Sequence, residues 1–172
     1  MKRLLYILSL LLSSALIIYT AYTGEGESDT RPESLTGKVV SVADGDTFTL
    51  LTDNNGRMKV RLYAIDAPER GQDFGTKSRE FLNDLCYGKT VTIEKKDTDQ
   101  YGRILGIAFV DGMNLNEEMV RNGLAWYYSH YVDDPKLDAL EQSARRQKLN
   151  IWSMKNPVHP HEFRKNKRNN GK

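Results

Sequence analysis

Beyond Thr36 the spacing of apolar and polar positions changes several times, and each change predicts an element. TGKVVSVA and DTFTLLT are rich in β-branched and apolar residues and are separated by Asp44-Gly45. MKVRLYAI follows after Asp53-Asn54-Asn55-Gly56, and an Asn-Gly pair between two such runs predicts a hairpin. Alternation in Met58–Ile65 puts Met58, Val60, Leu62 and Ala64 on one face and Lys59, Arg61 and Tyr63 on the other. Arg61 therefore points away from the apolar set. From Thr76 to Cys86 the period becomes helical, and Gly88 ends it. Thr90–Lys95 and Ile104–Val110 read as two more strands. Asn114, with Glu117 three residues on, forms a capping box for a short helix that Gly123 terminates. Asp134-Pro135 supplies an N-cap and a proline at the first helical position. That helix should run to about Leu149, with Leu137, Leu140 and Ala144 on one face.

Five short strands, a helix after the third and two more late in the chain predict an α+β fold. The expectation is a five-stranded OB-type β-barrel with about three helices packed on it. The first residues follow a different pattern. Lys2 and Arg3 precede an almost uncharged run from Leu4 to about Tyr22. This is the layout of a signal peptide or an uncleaved N-terminal membrane anchor, so residues 1–23 predict export. The run is close to the ~20 residues that span a bilayer, and small residues at Ser13/Ala15 and Ala21/Thr23 offer no clean cleavage site. GEGESDTRPESL, residues 24–35, is acidic, lacks apolar period and reads as a flexible linker. The folded domain is then expected at 36–154. Residues 155–172 form a basic tail without helical or strand period, which either holds polyanions loosely or is merely solvated. His159 and His161 read as tail residues rather than metal ligands.

Composition narrows the chemistry. The 172 residues suit one domain with tails, and a net charge of +2 says little about nucleic acid. The single cysteine, Cys86, excludes an intramolecular disulfide and a Cys-rich zinc site. In FLNDLCYG it reads as a small buried hydrophobe.

Three polar clusters remain: Asp44-Gly45-Asp46-Thr47, Arg61 through Glu69 (RLYAIDAPE), and Asp99-Gln100-Tyr101-Gly102-Arg103. Each alone is as often, or more often, a plain turn. Together they make a stronger case. Asp46 begins the second strand, Asp66 ends the third, and the hairpin brings those ends together. Two converging carboxylates repel unless a cation lies between them. With no His or Cys nearby, all-oxygen ligation favours Ca²⁺ or Mg²⁺ over zinc. Glu69 could reach a water beside that ion as general base. Arg61 and Arg103, from separate strands, could fork onto phosphodiester oxygens.

These residues resemble the staphylococcal nuclease (thermonuclease) family. VADGDTFTL, VRLYAIDAPE, DQYGR, LNEEMVRNGLA and KLNIWS occur in the family order with compatible spacing, from about Thr36 to Ser153. The resemblance implies an OB barrel with three helices and a Ca²⁺-dependent enzyme that cleaves DNA and RNA at the P–O5′ bond, leaving 3′-phosphates. It implies Asp46, Asp66 and the backbone carbonyl of Ala67 as Ca²⁺ ligands, Glu69 as general base, and Arg61 and Arg103 as phosphate-binding residues. Tyr101 and Tyr131 match substrate-binding tyrosines, and the substrate would be single-stranded or loosely paired nucleic acid met by a monomer. The loop RGQDFGTKS and the segment WYYSHYVDD depart from the family prototype, and Gln100 stands where it has a lysine. Trp126, Tyr127, Tyr128 and Tyr131 are candidates for base stacking, with Trp126 expected to be partly buried and Tyr131 the best placed. The alternative function is a non-catalytic OB module that binds nucleic acid at the membrane, which would be expected to have gaps in the five matched positions.

Overall fold

A computed structural model describes residues 33–129 and 132–170. The expected signal or anchor segment 1–23, most of the linker and Tyr131 lie outside the described residues. Five strands close a barrel: β1 (Ser34–Val42), β2 (Thr47–Leu51), β3 (Arg57–Leu62), and further on β5 (Thr90–Thr98) and β6 (Ile104–Val110). β1 pairs with both β2 and β5, β5 pairs with β6, and a parallel β3–β6 ladder completes the ring with Val60 opposite Ile104. Ser34 and Leu35, expected in the linker, already pair with Glu94 and Ile93. A two-residue strand β4 (Ile65–Asp66) follows β3, and helix α1 (Gly75–Cys86) separates it from β5. After β6 come β7 (Met113–Asn114), α2 (Leu115–Arg121), β8 (Trp126–Tyr127), α3 (Pro135–Arg146), a 3-10 turn at Asn150–Ser153 and α4 (Pro160–Asn170).

The barrel interior follows the two-residue period. Val39, Phe48, Leu50, Val60, Val91 and Ile93 are fully buried, and β6 alternates with Ile104, Ala108 and Val110 inward. Leu82 of α1 and Leu115, Met119 and Val120 of α2 cap this core. Met58, expected on the inner face, is 37% exposed because it lies one residue pair from the end of the β2–β3 hairpin. The predicted caps form. Asn114 Oδ1 accepts the Glu117 amide at 3.1 Å, and Asp134 Oδ1 accepts those of Lys136 and Leu137. α3 stops at Arg146 rather than near Leu149, since Lys148 takes a left-handed φ of 54° that a helix does not accommodate.

Among the described residues there are four helices, not three. The fourth, α4, lies where an unstructured basic tail was expected. Its sequence shows no apolar stripe because its cleft contacts are ionic, and charged contacts leave no hydrophobic period to read. Pro160 starts it, and the Phe163 amide bonds the His159 carbonyl at 3.0 Å. No helix among the described residues is long and apolar enough to cross a membrane.

Cys86 is fully buried at the end of α1, where its Sγ donates to the Leu82 carbonyl. Burial pushes its thiol up to about 12. The folded protein should therefore react with a disulfide reagent such as DTNB only through opening of the domain, and completely in denaturant. Fast stoichiometric labelling of the native protein at pH 8 would contradict this burial.

Candidate active site

The site forms where β2 starts and β3 ends. The chain turns at Asp44-Gly45, with the Ala43 amide on the Thr47 carbonyl at 2.9 Å. Gly45 is required there by crowding, since a Cβ would fall 1.9 Å from Ser78 Oγ and 2.8 Å from the Ala67 Cβ. The β2–β3 register sets Thr47 opposite Arg61, and the Leu62 amide donates to the Asp46 carbonyl at 2.8 Å. Asp46 and Arg61 are therefore neighbours.

Asp66 reaches them by a break in the strand. Had β3 continued regularly, Asp66 would face opposite to Arg61, because five residues separate them and the side-chain period is two. Instead Tyr63 and Ala64 make a turn, with Ala64 at a left-handed φ of 62°. Several bonds hold this uncommon backbone. The Tyr63 amide donates to the Gly106 carbonyl, the Tyr128 amide to the Ala64 carbonyl, and Asn116 Nδ2 to the Tyr63 carbonyl, each at 2.8 Å. The strand then resumes as β4 against β8, with Asp66 opposite Trp126. Buried Glu141 holds β8 in turn, accepting the Tyr127 amide at 3.0 Å.

Both carboxylates are buried, Asp46 at 2% exposure and Asp66 at 1%. Arg61 bridges them, with Nη1 donating to Asp46 Oδ1 at 2.9 Å and Nη2 to Asp66 Oδ1 at 2.7 Å. Asp46 also accepts the Thr47 hydroxyl and, at 2.9 Å, the Ala67 amide. Burial pulls the Arg61 guanidinium down, but the Asp46 and Asp66 charges outweigh it and hold the group above its ordinary value. Asp44 is pushed up to about 7, first by burial and then by the neighbouring Asp46 charge. It lines the same cleft and received no role from sequence; the crowding of carboxylates that marks it arises only on folding.

Glu69 and Arg103 stand around this floor. Glu69 sits in a turn tied by its own amide to Gln72 Oε1 and by the Gln72 amide back to its carbonyl, both at 3.0 Å. Gly75 passes so close that a Cβ there would lie 2.1 Å from the Glu69 carbonyl oxygen. Arg103 immediately precedes β6, with its Nε on Asp99 Oδ2 at 2.7 Å. Burial pushes the Asp99 carboxyl upward, but the bonds from Arg103 and Tyr101 and the Arg103 charge together outweigh it and hold it below its usual range. Arg61, Glu69 and Arg103 line one cavity of about 730 Å³, with Tyr101 on its rim at 74% exposure.

The aromatic segment divides differently from the expectation. Trp126 and Tyr127 are buried, Trp126 edge-on to Trp152 at 5.3 Å, with the Tyr127 hydroxyl donating to the Val132 carbonyl. Neither is placed to stack on a base. Tyr128 does line the cleft, beside the His159 ring. His159, expected in the tail, packs on Trp126 and lies 3.8 Å from Asp66. Burial draws its imidazole below the ordinary value against the opposing pull of Asp66.

Arg164 of α4 is the residue that sequence reasoning missed. Its Nη1 donates to Glu69 Oε1 at 2.6 Å and to Asp66 Oδ1 at 3.1 Å, and its Nη2 to Asp66 Oδ2 at 2.9 Å. Burial lowers its guanidinium, but the bonds to Asp66 and Glu69 prevail and raise it. No signal in the chain marked it beyond the basic character of the tail. Among the described residues, no group of three or more His, Cys, Asp and Glu is gathered closely enough to hold an ion by itself. Asp46 and Asp66 nevertheless offer carboxylate oxygens, the donor type that a hard divalent cation takes.

A closed five-stranded barrel with a carboxylate–arginine cleft at one strand end defines an OB-fold protein with a charged polar site. The sequence model of the family described as "Staphylococcal nuclease homologue" matches residues 59–154. An "Uncharacterized endonuclease" of Haemophilus influenzae is 39% identical over 161 residues, covering 94% of this chain and 88% of its own. An Escherichia coli protein of the same description is 46% identical over 132 residues, covering 76% of this chain and 86% of its own. A "Micrococcal nuclease" of Shigella flexneri is 38% identical over 144 residues, 77% of this chain and 82% of its own. The chain belongs to the staphylococcal nuclease family.

Proposed function

We propose that this protein is a Ca²⁺-dependent phosphodiesterase that hydrolyses DNA and RNA at the P–O5′ bond and leaves 3′-phosphates. The observation that carries the reading is the pairing of Asp46 and Asp66 through Arg61, which lines one cleft with Glu69 and Arg103. Asp46, Asp66 and the Ala67 carbonyl would hold the ion. When bound, it supplies positive charge that steadies the phosphate oxygens and favours attack by water. Glu69 takes the proton of the attacking water as the new P–O bond forms and the P–O5′ bond breaks. Arg61 and Arg103 pair with the non-bridging oxygens, where negative charge accumulates in the transition state. Tyr101 on the rim and Tyr131 would flank the nucleotides, each stacked base contributing about 1–3 kcal/mol. The N-terminal segment gives an exported enzyme, secreted or held at the extracytoplasmic face, acting as a monomer.

The test is hydrolysis of single-stranded DNA and of RNA by the purified protein in Ca²⁺ and then in excess EGTA, with analysis of product ends. The expected result is cleavage that EGTA abolishes and that yields 3′-phosphates from both substrates. Cleavage persisting in EGTA removes the calcium mechanism. Binding without cleavage points to a non-catalytic module.

A further inference from the structure

The cleft holds a positive charge of its own against Asp66 and Glu69, the carboxylates given above to the ion and to the base. Arg164 takes up both oxygens of Asp66 and one oxygen of Glu69. An ion on Asp66 needs the same lone pairs, and a base at Glu69 needs its carboxylate released. Arg61 already donates to Asp66 Oδ1 at 2.7 Å, so Arg164 and a divalent cation together would bring three cationic groups onto one buried carboxylate, in a medium where like charges repel strongly. Charge count favours exchange over sharing. Asp46, Asp66 and Glu69 carry three negative charges against the two guanidiniums of Arg61 and Arg164. Replacing Arg164 by a doubly charged ion brings the group to neutrality.

The helix that carries Arg164 is built for release. Between Pro160 and Asn169 only the proline is buried, and Phe163 and Arg164 are half-buried. The two residues that lead into it are tied by Gln72 Nε2 on the Val158 carbonyl at 2.6 Å and by the His159 ring, which lies against Trp126 and Tyr128 and 3.8 Å from Asp66. Few apolar contacts make this segment a low-stability part of the fold.

We propose that Arg164 is the resident counter-ion of the metal-free site and that α4 competes with the divalent cation for Asp66 and Glu69, leaving the cleft when the ion binds. This rests on the calcium reading above. By linkage, removing the competitor must tighten ion binding, and ion binding must loosen α4.

The experiment is calorimetric titration of Ca²⁺ into the full chain, without substrate, for the parent and for Arg164→Gln, Arg168→Gln and Asp46→Asn. Arg168 sits one turn along α4 and controls for the loss of one nearby charge. Arg164→Gln should bind Ca²⁺ at least about tenfold more tightly than the parent, with Arg168→Gln much closer to it. Trypsin supplies a second readout on the same proteins. Calcium should speed cleavage within α4 of the parent, whereas in Arg164→Gln α4 should be cut quickly with or without calcium. Unchanged or weaker Ca²⁺ binding by folded Arg164→Gln, or calcium protection of α4, would overturn the exchange. Failure of the parent to bind Ca²⁺, or binding indifferent to Asp46→Asn, would instead remove the calcium reading and the exchange with it.

Discussion

Replacing Arg61 with alanine should lower hydrolysis of single-stranded DNA by 10²–10³, equivalent to about 3–4 kcal/mol of transition-state stabilisation. The loss should fall on kcat more than on KM if the guanidinium meets the phosphate most strongly as charge develops. The same change has a second, separable effect. Arg61 is shared by Asp46 and Asp66, both almost fully buried, so its removal leaves Asp46 without a charged partner and Asp66 with Arg164 alone. A buried charge that loses its partner costs about 3–5 kcal/mol. The metal-free variant should accordingly melt well below the parent, and Ca²⁺ should recover more stability in the variant than in the parent. Arg61→Lys should not restore both, because one ammonium does not fork to two carboxylates. Thermal melts in EGTA and in Ca²⁺, alongside single-turnover rates, separate the two effects. Activity within a few fold of the parent would make Arg61 a strut between carboxylates rather than a phosphate ligand.

The second large effect is expected far from the chemistry. Replacing Asn116 with leucine should lower stability by about 2–6 kcal/mol, since two stranded backbone groups each cost about 1–3. Asn116 is 2% exposed at the start of α2. Its Oδ1 accepts the Ala108 amide at 3.0 Å, and its Nδ2 donates to the Tyr63 carbonyl at 2.8 Å and, more weakly, to the Gly106 carbonyl at 3.3 Å. Leucine has a similar volume and supplies neither donor nor acceptor. The Tyr63 bond also anchors the turn that swings Asp66 toward Arg61, so the fraction that still folds should hydrolyse substrate more slowly. Urea unfolding with an unchanged m-value, together with rates at low temperature, would check both halves. A loss under 1 kcal/mol would mean that water or a shifted backbone satisfies those groups.

The residues that could be read in advance were those whose role is written in local spacing. Asn114 with Glu117 and Asp134 with Pro135 cap helices through bonds spanning three residues, so a short window contains the whole cause. The alternation in β2, β3 and β6 fixed which side chains fill the barrel. The proximity of Asp46 to Arg61 also follows from one hairpin and its register. Tyr127 shows where this logic stops. WYY reads equally well as a stacking surface and as core, and burial beneath α3, against Glu141, decides it.

By itself, the sequence determined the class of fold and the starts of α2 and α3, because hydrophobic period and caps are local, and its ordered motifs singled out the five residues proposed for phosphate chemistry. Tertiary structure decided how those residues meet. Asp66 faces Arg61 only because Asn116, Gly106 and Tyr128 hold Ala64 in a left-handed turn that breaks the strand period. Arg164 reaches Asp66 across 98 residues through ion pairs that leave no apolar pattern behind. An electrostatic contact depends on distance in space and on burial, and neither is a property of the chain before it folds.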